Sequence, residues 1–390
     1  MKYRKDKAGN EISILGLGCM RFKDKGETER MILRAIEGGV NFFDTAYIYP
    51  GSEITLGEIL AKHDKRKDVY IATKLPLTRC RTAADFDRYF NEQLERLQTD
   101  YIDYYFMHAM SSFAQWEKLC EMGIREWIAA KKEAGQIRQV GFSFHSTYDD
   151  FIKILGHYDW EFCLIQYNYY DENYQAGRKG LEKANEKGIP VFIMEPLLGG
   201  RLATGLPKEA IAEFAKIEPA RSAAQWAFWW LWNQPEVTMT LSGMNSVAIM
   251  EENLQSVADF RPLTEAEAEA YPKVVEIFKK SYKVPCTGCN YCIPCPQGIN
   301  IPACFSAYNT SYAHGFFTGI TLYATSASVM AEKPHSPRNC NNCGKCEPQC
   351  PQNIPIRAEL KKVSKRFEKL PLKIAFAAMR RFMRGKNKGS

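Results

Sequence analysis

The sequence predicts an α/β fold, a (β/α)₈ TIM barrel, followed by a small cysteine-rich domain and a helical basic tail. Three observations lead to this prediction. Short apolar segments alternate eight times with amphipathic helical segments between about residues 12 and 245, and such alternation is typical of a barrel of about 250 residues. Two runs of four cysteines follow, and the last thirty residues are strongly basic.

The eight predicted strands are short, apolar and rich in β-branched or aromatic residues, as strands covered on both faces must be. Several intervening helical segments end at glycine, a common helix stop signal. A doubly wound open sheet is the structural alternative, but GLGCMRF after the first strand lacks the G-x-G-x-x-G loop of that fold. The predicted strands cover residues 14–20, 40–46, 69–75, 102–108, 138–144, 162–168, 190–196 and 237–243.

Composition divides the chain into four parts. The first thirteen residues are polar and do not resemble a secretory signal. The most apolar run, AAQWAFWWLW, is shorter than the roughly 20 residues that a membrane span needs. We therefore expect a cytoplasmic protein. Its predicted parts are the barrel (1–262), a helical linker (263–282), the cysteine-rich domain (283–360) and the basic tail (361–390).

The net charge of +7 is concentrated in the tail, which has eleven Lys or Arg and one acid, so the rest of the chain is acidic overall. This distribution argues against nucleic-acid binding by the barrel. Four apolar tail residues fall at helical spacing among the cations. The pattern is compatible with peripheral contact with an anionic membrane surface, packing on the cysteine-rich domain, binding of an acidic electron-transfer partner, or a solvated tail. The four residues are Leu372, Phe376, Met379 and Met383.

Polar residues follow three consecutive predicted strands, where barrel enzymes place their catalytic groups. Asp44 and Tyr49 follow the second strand, Lys74 ends the third, and His108 ends the fourth. A phenol is a weak acid, but a neighbouring ammonium favours its ionised form, and a carboxylate can hold that ammonium in place. An imidazole can hydrogen-bond to a carbonyl. The set therefore predicts protonation of a carbonyl oxygen while a hydride reaches the carbon.

The segments around these residues resemble the aldo/keto reductase family. NFFDTAYIY, IATKLP and DYYFMH are similar to the segments with that family's Asp-Tyr-Lys-His tetrad, and GFSFHS, LIQYN, EPLLGGRL and EENLQ follow in the family's order. The resemblance spans residues 10–257 and implies that NAD(H) or NADP(H) is bound and that a small carbonyl substrate is reduced. It implies that Tyr49 is the general acid and that Lys74 and Asp44 tune it. His108 would orient the carbonyl.

The same resemblance implies a set of nucleotide contacts. Ser143 and Gln166 match positions that hold the nicotinamide amide. The loop after the seventh strand would meet the pyrophosphate, and two residues after the eighth strand match positions at the adenine. The loop residues are Leu197, Gly199, Gly200, Arg201 and Leu202, and the adenine residues are Glu252 and Asn253.

The sequence also departs from the family pattern at nucleotide-contacting positions. Phe144 stands where the family usually has Asn, and Met194 stands where a Tyr stacks on nicotinamide. Gly243 and Ile249 stand where NADPH-preferring members carry cations for the 2′-phosphate. These departures argue against a strong NADPH preference and favour NADH or weak nicotinamide binding.

Nine of the thirteen cysteines lie at residue 286 or later. Clustered cysteines in a reducing compartment bind metal more often than they form disulfides. The first run, CTGCNYCIPCP, has three gaps of two residues, whereas the second, CNNCGKCEPQCP, ends with a gap of three. The second spacing is that of bacterial ferredoxins, in which the fourth cysteine binds the other cluster.

The cysteine-rich domain thus resembles the two-cluster ferredoxin module, which implies two [4Fe–4S] clusters bound crosswise. Zinc is the alternative, because paired C-x₂-C motifs also bind zinc. Cys304 is an alternative to Cys295 as a ligand, although the proline after Cys295 mirrors Pro351 in the second run. By the resemblance, one cluster would have Cys286, Cys289, Cys292 and Cys350 as ligands, and the other Cys340, Cys343, Cys346 and Cys295.

These features together predict an NAD(P)H-dependent carbonyl reductase with a fused iron–sulfur electron-transfer domain. Nicotinamide transfers two electrons as a hydride whereas each cluster transfers one, and no clear flavin motif is present to couple them. The alternative is an iron–sulfur electron carrier or partner-binding protein that uses the barrel as a scaffold or as a nicotinamide sensor. The tetrad argues for the reductase, because neither alternative role requires Tyr49 beside Lys74.

Overall fold

The computed structural model describes residues 1–22, 24–327 and 336–369. The tail residues beyond 369, including the predicted apolar helical face, lie outside the described residues. None of the helices in the described ranges is both long enough and apolar enough to cross a membrane.

Eight parallel strands form a closed barrel, as predicted, in which each strand pairs with the next along the chain and the last pairs with the first. A short antiparallel hairpin, β1 (Tyr3–Lys5) and β2 (Glu11–Ser13), precedes the barrel. The barrel strands are β3 (Leu15–Gly18), β4 (Phe42–Asp44), β5 (Tyr70–Leu75), β6 (Ile102–Met110), β7 (Ile137–Phe144), β8 (Phe162–Gln166), β9 (Val191–Met194) and β10 (Val237–Ser242).

Helices follow the strands, and several begin at a polar N-cap whose side chain accepts a backbone N–H, such as Asp24, Thr147 and Ser246. The helices up to residue 259 are α1 (Lys25–Glu37), α2 (Ser52–Lys62), α3 (Ala84–Leu97), α4 (Phe113–Glu121), α5 (Ile124–Glu133), α6 (Tyr148–His157), α7 (Gly177–Glu186), α8 (Lys208–Ala215), α9 (Ala223–Trp232) and α10 (Val247–Asp259).

The barrel interior is filled by aromatic rings, with Phe42, Tyr104 and Phe192 within 6 Å of one another between ring centroids. The N-terminal hairpin contributes Ile12 to this cluster, and the Tyr104 hydroxyl donates to Asp6. Sequence analysis did not anticipate this hairpin, because three-residue strands carry too little periodicity to be recognised.

The chain divides into two compact units. The barrel unit comprises residues 1–197 and 225–263, and the cysteine unit comprises residues 198–224 with the chain from 264 onward. The cysteine unit therefore includes the segment after β9. Its other helices are α11 (Glu265–Ser281), α12 (Ile301–Ala313), α13 (Phe316–Ser326) and α14 (Ile356–Phe367).

The cysteine unit has its own apolar core, to which α12, α13 and α14 contribute Phe305, Tyr323 and Phe367. A buried ion pair between Arg221 and Glu267, 2.7 Å long, joins the segment after α8 to the first turn of α11. Glu267 also completes a capping box with Thr264 at the start of α11. The helices α12 and α13, which separate the two cysteine runs, were not anticipated from the sequence.

Candidate functional site

Three of the four predicted catalytic residues lie at neighbouring positions in the barrel strands. Asp44 ends β4, Lys74 lies one residue before the end of β5, and His108 lies near the end of β6. Pairing sets Asp44 opposite Ala72 and Lys74 opposite Phe106. The three side chains are almost completely buried. Since all the strands are parallel, their carboxyl ends meet at one end of the barrel.

Lys74 is the centre of this group. Its Nζ donates to Asp44 Oδ2 and to the Thr45 carbonyl, each at 2.7 Å. The same Nζ lies 4.9 Å from the centre of the Tyr49 ring. The Tyr49 and His108 rings meet edge to face at 6.1 Å between centroids. The structure therefore brings the four residues together within the barrel unit.

Burial affects both charges of the Asp44–Lys74 pair. It lowers the pKa of Lys74 and raises the pKa of Asp44, because a poorly solvated site disfavours either charge alone. The 2.7 Å contact opposes both shifts, since each charge stabilises the other. Asp44 therefore favours the charged form of Lys74, and Asp44 and the Thr45 carbonyl hold its ammonium in one orientation.

His108 is neutral at physiological pH in this environment. Burial lowers its pKa well below the usual value, and the charge of Lys74 and the nearby His145 lower it further. Burial also lowers the pKa of His145, to about 4. A neutral imidazole still has one N–H to donate, so His108 can hydrogen-bond to a carbonyl oxygen.

Tyr47 lies two residues from Tyr49 but has a different environment. Its hydroxyl donates to Glu92 at 2.6 Å, and the Arg96 guanidinium lies over its ring at 4.1 Å. Arg96 also contacts the buried carboxylate of Glu53, which accepts a hydrogen bond from the Thr73 hydroxyl beside Lys74. The contacts of Glu53 with Arg96 and Thr73 could not be recognised in the sequence, because acidic residues are common in the first turn of a helix.

Phe113 and Trp116 of α4 follow His108 in the chain, and both pack on α6. The Trp116 side chain is fully buried, and its indole N–H donates to His157. Phe113 meets the same imidazole edge to face at 5.0 Å. Burial is therefore the observed environment of Trp116.

The two predicted nicotinamide contacts lie on adjacent strands. Ser143 is the penultimate residue of β7, and Gln166 ends β8. Ser143 Oγ accepts the Ala109 N–H at 2.7 Å, which leaves its own hydroxyl proton for a further partner. The Gln166 amide nitrogen donates to Asp171 at 2.8 Å, and burial raises the pKa of Asp171 to about 6. Sequence analysis had not singled out Asp171.

The predicted pyrophosphate loop after β9 has an unusual backbone. Leu198, Gly199 and Gly200 have φ angles of 50°, 65° and 92°. A Cβ added to Gly199 would lie 2.1 Å from the Thr287 carbonyl oxygen, whereas one added to Gly200 would meet nothing within 4 Å. Gly199 is therefore required by the close approach of residue 287, next to the first cysteine.

The two residues predicted at the adenine differ in exposure. Asn253 is buried and its side-chain nitrogen donates to Ser242 at the end of β10, while Glu252 is exposed. Glu27 of α1 accepts the backbone N–H of Val247, the first residue of α10, at 2.9 Å. The Glu27 carboxylate therefore already accepts a backbone N–H at the start of α10. The sequence carried no signal for it, because residues 27 and 247 are distant in the chain.

The cysteine runs line two cavities in the cysteine unit. One of about 220 Å³ is lined by Cys340, Cys343 and Cys346 of the second run and by Cys292 and Cys295 of the first. The other, of about 20 Å³, is lined by Cys286, Cys289, Cys292 and Cys350. Each cavity therefore combines three cysteines of one run with at least one of the other, and Cys292 borders both. The ligand sets that the resemblance implies are compatible with this lining.

Single-metal sites are absent from the described ranges, where no group of three or more His, Cys, Asp or Glu could hold one ion. Four thiolates on a zinc ion at about 2.3 Å lie about 3.8 Å apart. A four-iron cluster binds each thiolate at a different iron, so its ligands are spread more widely.

Burial raises the pKa of Cys286 and Cys292 to about 12 each, so a metal must displace their protons. The charge of Arg201 favours the Cys286 thiolate. Cys304 is fully buried in α12, and it lines neither cavity. Burial raises the Cys304 pKa as well. The geometry therefore supports Cys295 over Cys304.

Comparisons with known proteins identify both parts of the chain. The model of the aldo/keto reductase family matches residues 14–276. The model of the 4Fe-4S dicluster domain matches residues 285–355.

Individual relatives cover the barrel. An uncharacterised oxidoreductase, YqkF, of Bacillus subtilis is 28% identical over 313 residues, which are 68% of this chain and 95% of that protein. The L-galactose dehydrogenase of Arabidopsis thaliana is 29% identical over 286 residues, covering 65% and 87%. The holo structure of aldo-keto reductase AKR11C1 from Bacillus halodurans has a TM-score of 0.60 at 24% identity, covering 70% of this chain and 96% of that one. The structural likeness supports the fold.

Proposed function

Because the chain belongs to the aldo/keto reductase family, we propose that it reduces an aldehyde or ketone with a nicotinamide cofactor and that its cysteine unit holds two [4Fe–4S] clusters. The observation that carries the first part is the position of Lys74. Its ammonium donates to Asp44 and lies against the Tyr49 ring, which in turn meets His108.

Tyr49 is the proton donor in this proposal. The ammonium of Lys74 stabilises the phenolate that remains after proton transfer. Asp44 and the Thr45 carbonyl hold the ammonium, so its position requires no rearrangement during the reaction.

His108 positions the substrate. A neutral imidazole donates its N–H to the carbonyl oxygen without delivering a charge to the site. The oxygen would then accept hydrogen bonds from the imidazole and from the phenol. Lys74 and His108 are buried, and a hydrogen bond in a poorly solvated site is stronger than one in water.

The reduced nicotinamide supplies a hydride to the carbonyl carbon when it is bound. Ser143, with a hydroxyl proton to donate, and Gln166, fixed by Asp171, would hold its amide. The loop of Leu197, Gly199, Gly200, Arg201 and Leu202 would hold the pyrophosphate, and Glu252 and Asn253 would lie at the adenine.

NADH is the preferred cofactor in this proposal. Glu27 occupies the Val247 N–H at the start of α10, and a carboxylate there repels a 2′-phosphate. Gly243 and Ile249 supply no charge of their own at the positions where NADPH-preferring relatives have cations.

The cysteine unit would carry single electrons, which its clusters supply when bound. Its ligands would be Cys286, Cys289, Cys292 and Cys350 at one cavity and Cys295, Cys340, Cys343 and Cys346 at the other. An electron-transfer partner protein would then exchange electrons with this unit.

The decisive experiment for the reductase is Tyr49→Phe with Tyr47→Phe as its matched control. Loss of a general acid lowers a rate by about 10²–10⁴-fold, so Tyr49→Phe should lower kcat for carbonyl-dependent NADH oxidation by that range. Tyr47→Phe should remain close to wild type, because its hydroxyl contacts Glu92 instead. Equal rates for wild type and Tyr49→Phe would refute the proposed chemistry.

The cluster proposal is tested by metal and sulfide analysis of anaerobically purified protein. Two four-iron clusters correspond to about eight irons per chain. A colourless protein with stoichiometric zinc would refute it.

A further inference from the structure

The loop predicted to hold the pyrophosphate belongs to the cysteine unit rather than to the barrel unit, from Leu198 onward. Within that unit it is in contact with the first cysteine run. The backbone of Gly199 approaches Thr287 so closely that any side chain would overlap the Thr287 carbonyl. Thr287 directly follows Cys286, which lines the smaller cysteine cavity.

Hydrogen bonds from side chains fix the backbone just before Thr287, on the cysteine side of this contact. The Asn309 side chain on α12 accepts the backbone N–H groups of Lys283 and Val284, each at 3.0 Å, and donates to the Val284 carbonyl at 2.7 Å. The Tyr282 hydroxyl donates to the Cys286 carbonyl. Thr287 itself is buried. The backbone that leads to Thr287 is therefore held by Asn309 of α12 and by the Tyr282 hydroxyl.

The loop side borders a cavity. This cavity, of about 340 Å³, is lined by Gly199, Gly200, Arg201, Thr204 and Gly205 of the loop and on its other sides by α11 and α12. Backbone hydrogen bonds within the loop, from Arg201 to Leu198 and from Thr204 to Gly200, also shape it. The contact with Thr287 adds a close approach to the first cysteine run.

We propose that Thr287 is a positioning residue for this loop, so that anion binding on the loop and the state of the cluster site at Cys286 are thermodynamically linked. This inference rests on the proposed function, because it takes the loop to be the pyrophosphate site. An anion on the loop disfavours the more negative, reduced state of the nearby cluster. By reciprocity, reduction at the Cys286 site weakens nucleotide binding by the same factor.

ADP-ribose is the probe that tests the link, because it has the pyrophosphate and adenine but no nicotinamide to be reduced. The full-length protein with both clusters is titrated by EPR-monitored redox potentiometry with and without saturating ADP-ribose. The midpoint potential of one cluster should fall, and that of the other should stay constant. A tenfold affinity difference between oxidation states corresponds to about 59 mV for one electron.

Two glycine variants provide a matched pair. Gly199→Ala introduces a methyl group against Thr287, whereas Gly200→Ala adds one in open space at a similarly positive φ angle. Without any nucleotide, Gly199→Ala should alter the EPR signal of one cluster, and Gly200→Ala should leave both signals unchanged. The wild-type titration needs no variant, so it decides the question even if Gly199→Ala does not fold.

The outcomes separate this inference from the proposed function. ADP-ribose that binds without moving either potential overturns the link but leaves the reductase proposal intact. ADP-ribose that fails to bind at millimolar concentration overturns both, because no pyrophosphate site then exists. A fall confined to one potential, together with the glycine result, supports the link.

Discussion

The barrel unit and the cysteine unit place their functional side chains by different means. In the barrel unit, Asp44, Lys74 and His108 lie on adjacent strands whose hydrogen-bonded register sets their spacing. In the cysteine unit, the thiols lie in turns with left-handed residues such as Gly288, Asn290 and Asn342. Hydrogen bonds between strands hold side chains in place before any ligand binds. In a turn-rich loop, the positions of the thiols depend more on the metal that they bind.

This difference has energetic consequences. The buried Asp44–Lys74 pair is already paired before any ligand binds. The cysteine side chains instead surround cavities, and burial raises the pKa of several of them. Part of the stability of the cysteine unit must therefore come from its metal, because cluster binding replaces buried protons and closes the loops.

The largest effect expected from breaking the barrel arrangement is that of Lys74→Met. It should lower kcat by about 10²–10⁴-fold, because Tyr49 loses the cation that stabilises its phenolate. It should also lower the free energy of unfolding by about 3–5 kcal/mol, because Asp44 is left as an unpaired buried charge. Steady-state kinetics and denaturant titration measure the two effects.

The double variant Asp44→Asn/Lys74→Met is the control. It removes the unpaired charge and should recover most of the lost stability, yet its activity should stay low. Recovery of activity along with stability would show that Lys74 acts only through folding.

The next largest effect concerns the cysteine cavities. Cys346→Ser should lose one cluster, so iron content should fall from about eight to about four per chain with one EPR signal lost. Cys304→Ser should retain both clusters, because Cys304 lines neither cavity. Loss of iron from Cys304→Ser with full retention in Cys295→Ser would reverse the assignment of the ligand.

A smaller effect is expected from Glu27→Gln. The amide removes the negative charge at the start of α10, so affinity for NADPH should rise relative to NADH by about two- to fivefold. Fluorescence titration of both nucleotides measures this ratio. Asp259→Asn, at the exposed far end of α10, is the comparison, and an equal change of this ratio in both variants would show that net charge alone causes the effect.

The smallest expected effect is a pH dependence due to Asp171, whose pKa burial raises to about 6. Above pH 6 its carboxylate is ionised and favours the positively charged oxidised nicotinamide held through Gln166. Below pH 6 that charge is lost, so affinity for NAD⁺ should fall by about two- to fivefold between pH 7 and pH 5 while that for NADH stays constant. Asp171→Asn should abolish the dependence. An unchanged pH profile in that variant would exclude Asp171 as its source.

Local patterns were sufficient for much of this molecule. All eight barrel strands were predicted, because each is a short apolar segment followed by an amphipathic helix. The residues Asp44, Lys74 and His108 could be selected because strand ends in a barrel converge. The cysteine sets that the resemblance implies stay a prediction, although each cavity does combine cysteines of both runs.

Contacts between distant segments could not be predicted from such patterns. Glu27 accepts a hydrogen bond from Val247, 220 positions away. Glu53 of α2 accepts hydrogen bonds from Thr73 of β5 and Gln93 of α3. The hairpin before the barrel and the helix pair between the cysteine runs lacked a recognisable periodicity.

The sequence by itself thus determined the barrel and selected the candidate catalytic side chains and candidate cysteine ligands, because these depend on periodicity and spacing along the chain. Only the tertiary structure decided that the loop beginning at Leu198 packs with the cysteine unit and that Gly199 meets Thr287. That contact joins residues nearly ninety positions apart. Its existence depends on how helices pack and on the volume of each side chain, which no local pattern records.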